Sequence, residues 1–257
     1  MYKVLFVEAH QDDIISSAGT VIKLKRAGCQ LIFICTTDSR YDYLVNTPST
    51  PSSVAKKLDS AAKECCQFLG IEEFINLGYE DGFYSYNEKT VKEMVSLIRK
   101  YKPDIIFTHW PIDNNPDHAN TAKVTERAIQ LANWPFYREG EKIVTDCNVL
   151  ALYLHRSDPR QTMNFIADLY IDVSDVIDKI EEAAKKFTKL SPPEIEEKFI
   201  KRTKMSRAYT GIELGKNYVE AIAKSRRVGI QSWQRDPLIE ISRKVNFPFL
   251  VEYKQSL

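Results

Sequence analysis

Residues 1–13 constrain this chain more than any other stretch. Four apolar β-formers, Val4, Leu5, Phe6 and Val7, stop abruptly and are followed by one imidazole and two carboxylates: His10, Asp12 and Asp13. Apolar side chains on both faces of a short run suit a strand in a parallel sheet that helices cover on both sides. A second run, Ile105-Ile106-Phe107-Thr108, is followed by a similar cluster from His109 to His118, with Asp113 and Asp117 between. Both clusters stand just past the carboxyl end of an expected strand, where open α/β sheets bind ligands.

The rest of the chain alternates in the same way. Further strands are expected at 31–35, 71–77, 149–154 and 169–173, and amphipathic helices at 14–27, 53–69, 88–101 and 120–133. A polar loop through Asn46, Thr47 and Pro48 leads into the second of these helices. From Ser174 onward helices dominate, at 176–187, 193–209 and 218–224. The pattern predicts an α/β, Rossmann-like fold: a mostly parallel sheet, helices on both faces, and a helical C-terminal extension. One domain over 1–257 is the simplest division, with a core over about 1–175 and the extension over about 176–257.

Composition excludes several functions. The formal net charge of +1 gives no electrostatic reason for a nucleic acid or an anionic membrane as partner. No run approaches the roughly 20 apolar residues that span a bilayer. Glu8, His10, Asp12 and Asp13 interrupt the first apolar run, so it does not read as a signal peptide. Five cysteines, odd in number and without Cys-x-x-Cys spacing, read as reduced thiols in a cytoplasmic protein. Homo-oligomerisation is left open. No Gly-x-Gly-x-x-Gly or Gly-Lys-Ser/Thr follows the first strand, so the sheet is not expected to hold a dinucleotide or a nucleoside triphosphate. Its first loop carries acids, which repel phosphate and attract metal.

A divalent metal at neutral pH takes imidazole nitrogen and carboxylate oxygen, and a hydrolytic site keeps one position open for water. Of the four histidines, His10 and His118 lie close beside acids in the two clusters. Three ligands drawn from both loops would make a two-histidine, one-aspartate set, with the leftover carboxylate of the Asp12-Asp13 pair serving as general base. The competing reading is that these residues cap helices and make turns. His155 also follows a strand, but alone, and reads as a structural or surface histidine. Phe83, Tyr84, Trp110 and Trp134 read as core or surface rings before they read as a sugar-stacking wall.

Ala9-His10-Gln11-Asp12-Asp13 resembles the Ala-His-Pro-Asp-Asp signature of the LmbE/PIG-L family of zinc-dependent N-acetylglucosaminyl deacetylases. Pro116-Asp117-His118, behind Thr108-His109-Trp110-Pro111 and Asp113, is similar to that family's second signature, which ends in His-x-Asp-His. Weaker likenesses lie at 77–82, at 171–179 and around Gly215 to Ala221. The resemblance implies a Zn2+ site, with Fe2+ or another divalent metal as substitutes, held by His10, Asp13 and His118. It implies Asp12 as general base, Asp117 as the acid that orients a histidine, and Asp81 as a holder of sugar hydroxyls. The implied reaction is removal of the acetyl group from a small N-acetylated amino sugar or sugar conjugate, by attack of zinc-bound water.

Three departures stand out. Asn115 replaces the first histidine of His-x-Asp-His, and asparagine donates a hydrogen bond but cannot protonate an amine. Asn115 is placed with the catalytic residues on that footing, and the proton falls to Asp12 or to His109, which stands with Asp81 against the substrate. Gln11 and Ile14 replace Pro and Glu of the first signature. Leu58 and Ala61 stand where an Arg-x-x-Glu pair is expected to anchor substrate. The alternatives are a family member that binds a sugar or metal without turnover, and a different metal-dependent hydrolase on the same fold.

Overall fold

The computed structural model describes residues 1–42, 50–137, 147–156, 158–189, 191–225 and 236–251. The polar loop expected through Asn46, Thr47 and Pro48 lies outside them. Strands β1 (Lys3–Glu8), β2 (Gln30–Thr37), β3 (Glu73–Tyr79), β4 (Ile105–His109), β5 (Ala151–His155), β6 (Leu169–Asp172) and β7 (Val219–Lys224) form a sheet ordered β3-β2-β1-β4-β5-β7-β6. β1 to β5 pair in parallel, and β7 runs antiparallel to β5 and β6.

Period-two alternation along β1 divides the core between the two faces. Val4 and Phe6 join a cluster with residues of α1 (Ala18–Arg26), α2 (Pro51–Leu69) and α5 (Ile177–Thr188). Leu5 and Val7 join one with α3 (Glu88–Tyr101) and α4 (Pro116–Ala132). All four β1 side chains are fully buried, and each such burial contributes about 1.5–3 kcal/mol. Leu58 and Ala61 face the first of these cores from α2. The C-terminal region adds α6 (Pro193–Ile212) and α7 (Pro237–Lys244), the latter capped by Asp236, whose carboxylate accepts from the N–H groups of Leu238 and Ile239.

One expected helix is a strand. Residues 218–224 read as helical because Glu, Ala and Lys favour helix locally, yet Val219–Lys224 is β7. Pairing along β6 and against the end of β5 overrides that weak preference. The strand also tethers the loop that follows β1. Buried Glu220 accepts from the N–H groups of Gly19 (3.0 Å) and Thr20 (2.7 Å) at the start of α1, and from Arg207 Nη2 of α6 (2.6 Å). Arg207 Nη2 also donates to the carbonyls of Ile15 and Ser16. Gly19 is required at this contact: a Cβ there would lie 2.4 Å from Val173 Cγ1. The short 3-10 helix Gln11–Ser17, which carries Asp12 and Asp13, is thereby fixed from behind.

Chain order reverses between β1 and β4: β2 lies on one side of β1 and β4 on the other. Brought together at this switch point are the two polar clusters, in the crevice at the carboxyl ends of the strands.

Candidate metal centre

Three donor atoms face one another where β1 and β4 end. His10 Nδ1 is 3.2 Å from Asp13 Oδ2 and 3.2 Å from His118 Nε2, and His118 Nε2 is 3.3 Å from Asp13 Oδ2. Asp13 folds back to this position because its Oδ2 also accepts the His10 N–H at 2.8 Å. His118 reaches it from the first turn of α4, where Asn115 caps the helix by accepting the Asp117 N–H (2.9 Å) and Pro116 occupies the first turn. Tetrahedral zinc with bonds of about 2.0–2.1 Å separates its ligands by roughly 3.3–3.4 Å. The observed near-equilateral triangle fits that spacing and leaves one side open.

Carboxylates behind each imidazole set its tautomer. Asp81 Oδ1 (3.2 Å) and Asp117 Oδ2 (3.4 Å) face His10 Nε2, holding a proton there and leaving the Nδ1 lone pair for the triangle. Asp113 Oδ2 stands 3.3 Å from His118 Nδ1, which makes no hydrogen bond among the described residues, and so favours a lone pair on Nε2. Asp117 is itself locked by the N–H groups of Gly82 (2.6 Å) and Tyr84 (3.0 Å).

The charge balance favours a cation. Burial pulls His118 down, but the charge of Asp13 and the contact with Asp113 outweigh it and hold the imidazole at about 9. His10 is also held well above its usual value, with burial outweighed by Asp117, Asp13 and Asp81. Burial would raise Asp13, yet the surrounding imidazoles keep it well below the carboxylate range. Two charged imidazoles would then aim N–H groups at each other over 3.2 Å, a repulsion that a shared cation removes.

Two other groups of donors converge nearby. His10, Asp81 and Asp117 meet on the Nε2 side of His10, and Glu8, His109 and His155 meet in the interior. The interior set is occupied by its own bonds. Glu8 takes His155 Nε2 on both oxygens at 2.8 Å, and His109 Nε2 accepts the Ala9 N–H at 2.8 Å.

The triangle opens on a cleft of about 590 Å³. His10, Asp12, Asp13, Asp81, Asn115 and His118 line it. Asp12 is half-buried on the wall, its carboxyl pushed up to about 7 by burial and by the charges of Asp42 and Asp13. Asp117, expected to orient a histidine, is buried behind His10, and His109, expected against the substrate, is fully buried behind His118 and does not face the cleft. The histidine is placed there because β4 carries it into the sheet edge, where its ring stacks on His118. Asn115 lines the cleft with its side-chain oxygen engaged in the helix cap. Phe83, Tyr84, Trp110 and Trp134 do not line it: Tyr84 is core and Phe83 is exposed.

Several residues of the region carry no role in the sequence reading: Glu8 and Asp113, which hold histidines, and the cleft residues His155, Arg156 and Arg202. A usable signal existed for His155 and Arg156, which follow the strand rule that singled out His10 and His118.

The parallel sheet, the switch-point crevice and the three converging donors define an α/β fold with a candidate metal centre. Residues 5–129 match the model of the PIG-L family, described as GlcNAc-PI de-N-acetylase. The chain is similar to the diacetylchitobiose deacetylase of Thermococcus kodakarensis, with 24% identity over 229 residues, 86% of this chain and 82% of that protein. Its fold is that of the N,N'-diacetylchitobiose deacetylase from Pyrococcus horikoshii, solved with its inhibitor MPG: TM-score 0.78, 21% identity, 88% of this chain and 85% of that one. GalB, the 4-carboxy-2-hydroxymuconate hydratase of Pseudomonas putida KT2440, superposes with a TM-score of 0.72 at 18% identity, over 87% of this chain and 96% of that one. A hydratase on this fold means that the fold alone does not fix the reaction. Among the described residues, no helix is long and apolar enough to cross a membrane.

Proposed function

We propose that the chain is a zinc-dependent N-deacetylase, one domain over 1–257, that removes the acetyl group from an N-acetylated amino sugar or sugar conjugate. The observation that carries this reading is the triangle of His10 Nδ1, Asp13 Oδ2 and His118 Nε2, with edges of 3.2–3.3 Å, beside Asp12 on an open cleft. The names of the diacetylchitobiose deacetylases support an N-acetylated sugar as substrate. Five free, buried cysteines support a reducing compartment, the cytoplasm.

His10, Asp13 and His118 would hold the ion, with Zn2+ preferred and Fe2+ suited to the same donors. When bound, such an ion supplies a water of lowered pKa and a Lewis acid for the acetamide carbonyl. Asp12 takes a proton from the attacking water and passes it to the departing amine nitrogen, so that amide and water become amine and acetic acid. Asp81 keeps His10 oriented and offers its cleft side to sugar hydroxyls. Asp117 and Asp113 hold His10 and His118, and His109 supports His118 without touching substrate. Asn115 can donate its side-chain N–H to the carbonyl oxygen.

The test is amine release from N,N'-diacetylchitobiose and from N-acetylglucosamine conjugates by the zinc-loaded protein. Release that Asp12→Asn abolishes supports the reading. A zinc-loaded protein that releases no amine from any acetylated sugar contradicts it. That result would favour binding without turnover, the reading to which Asn115 lends weight.

A further inference from the structure

The loop between β4 and α4 and the loop after β5 are joined to each other beside His118. Asn114 N–H donates to the Gln161 carbonyl and Met163 N–H to the Ile112 carbonyl, both at 3.0 Å, so that Asp113 and Thr162 face each other across an antiparallel bridge. Trp110 ties the outer side: its Nε1 donates to the Met163 carbonyl at 2.9 Å, and its ring meets that of Phe165 edge-on at 5.3 Å. The β5 loop is itself closed, since the Asp158 carbonyl accepts the N–H groups of Gln161 and Thr162, each at 3.0 Å.

The geometry points to Thr162 as a positioning residue of the metal centre, acting on His118 through Asp113. Its hydroxyl donates to Asp113 Oδ2 at 3.2 Å, the same oxygen that stands 3.3 Å from His118 Nδ1. The other oxygen, Oδ1, accepts the Asn115 N–H at 2.8 Å. With its side chain only 1% exposed, the Asp113 carboxylate takes its direction from these partners and not from water. The partner of a ligating histidine sets its tautomer and ring plane. Whatever aims Asp113 therefore also aims His118 Nε2 at His10 and Asp13. The inference rests on the metal-centre part of the proposed function. Thr162 lies beyond residues 5–129, the span that matches the PIG-L model, so that match assigns it nothing.

The hydroxyl is not what holds the two loops together. The flanking backbone bonds and the Trp110 contacts do that, and none of them uses the Thr162 side chain. Valine matches threonine in shape and lacks the hydroxyl. Thr162→Val therefore leaves the bridge in place and takes one donor from a buried carboxylate oxygen, which is then free to turn away from His118. Serine keeps the donor and loses only a methyl group.

The experiment is zinc titration of the full chain against a chelating competitor, with Thr162→Val and Thr162→Ser alongside. The visible absorption of the cobalt-loaded proteins is the second readout, one that a role confined to the fold would not move. Thr162→Val should bind zinc about tenfold more weakly, the low end for partners of a ligating histidine, and its cobalt bands should shift. Thr162→Ser should return both to the wild-type values. In an Asp113→Ala background, Thr162→Val should change zinc affinity by no more than about twofold, because the partner through which it acts is gone. Wild-type zinc affinity and cobalt bands in Thr162→Val overturn the inference and leave the metal centre in place. A loss of the same size in the Asp113→Ala background overturns the route through Asp113. A Thr162→Val chain that does not fold assigns the hydroxyl to the fold and overturns the inference as well. A wild-type chain that binds neither zinc nor cobalt contradicts the metal centre itself, and the inference falls with it.

Discussion

His109 and His118 stack face to face, with ring centroids 4.2 Å apart and planes within 2° of parallel. The two rings have different duties. His118 turns Nε2 towards Asp13 and His10, whereas His109 Nε2 accepts the Ala9 N–H and so locks the end of β1 to the end of β4. Burial and the charge of His118 hold His109 below its usual pKa, in keeping with a neutral acceptor. His109→Phe keeps a ring against His118 but strands the Ala9 N–H. The expected loss is about 1–3 kcal/mol in urea unfolding, together with zinc affinity weakened roughly 10–100-fold. Unchanged stability and unchanged zinc affinity would contradict this support role.

Asp12 is the proton carrier of the account. Asp12→Asn should lower turnover about 10²–10⁴-fold while zinc content stays at the wild-type value. A variant that loses both would place Asp12 among the ligands.

Metal uptake should release protons. Near pH 7 the metal-free protein holds His118 protonated, since its pKa is about 9, and His10 is also raised. His118 must give up its proton to coordinate. Zinc titrations in buffers of different ionisation enthalpy should report proton release, with affinity rising as pH climbs towards 9. The sign for stability follows from the same shift. His118 in the fold lies above its ordinary 6.5, so its contribution to the metal-free protein is complete below about 6.5 and is lost as pH rises through about 9. Heats that ignore the buffer would contradict a protonated apo site.

Glu220 secures the loop that carries Asp12 and Asp13 from behind. It accepts from Gly19, Thr20 and Arg207, and all of these contacts are buried. Glu220→Ala leaves a buried guanidinium unpaired, for an expected destabilisation of about 3–5 kcal/mol, read as a lower urea midpoint. A loss below 1 kcal/mol would show that Arg207 finds water or another acceptor.

The sequence carried the parallel core and the two loops because both are local signals. The runs at Val4 to Val7 and Ile105 to Thr108 are apolar on both faces, and the chemistry-bearing residues follow them at once. What it did not carry depends on contacts between distant segments. β7 is a strand through its neighbours β5 and β6, not through its own composition. Glu8 reads as the end of a strand until β5 brings His155 to it, 147 residues away. Glu220 stands in the weak likeness around Gly215 to Ala221 and Arg207 in an expected helix, neither with a role, and they become a buried pair only when α6 packs on β7. His109, read as substrate-facing from its place in the cluster, is buried with its ring stacked on His118.

The most direct measurement is metal content by elemental analysis of the purified protein, with Asp13→Ala alongside. Asp13 Oδ2 meets both His10 Nδ1 and His118 Nε2, so its removal should empty the site. The account predicts about one zinc or iron per chain in the wild type and none in the variant. A wild-type protein that holds no divalent metal and takes up none from added zinc would contradict it.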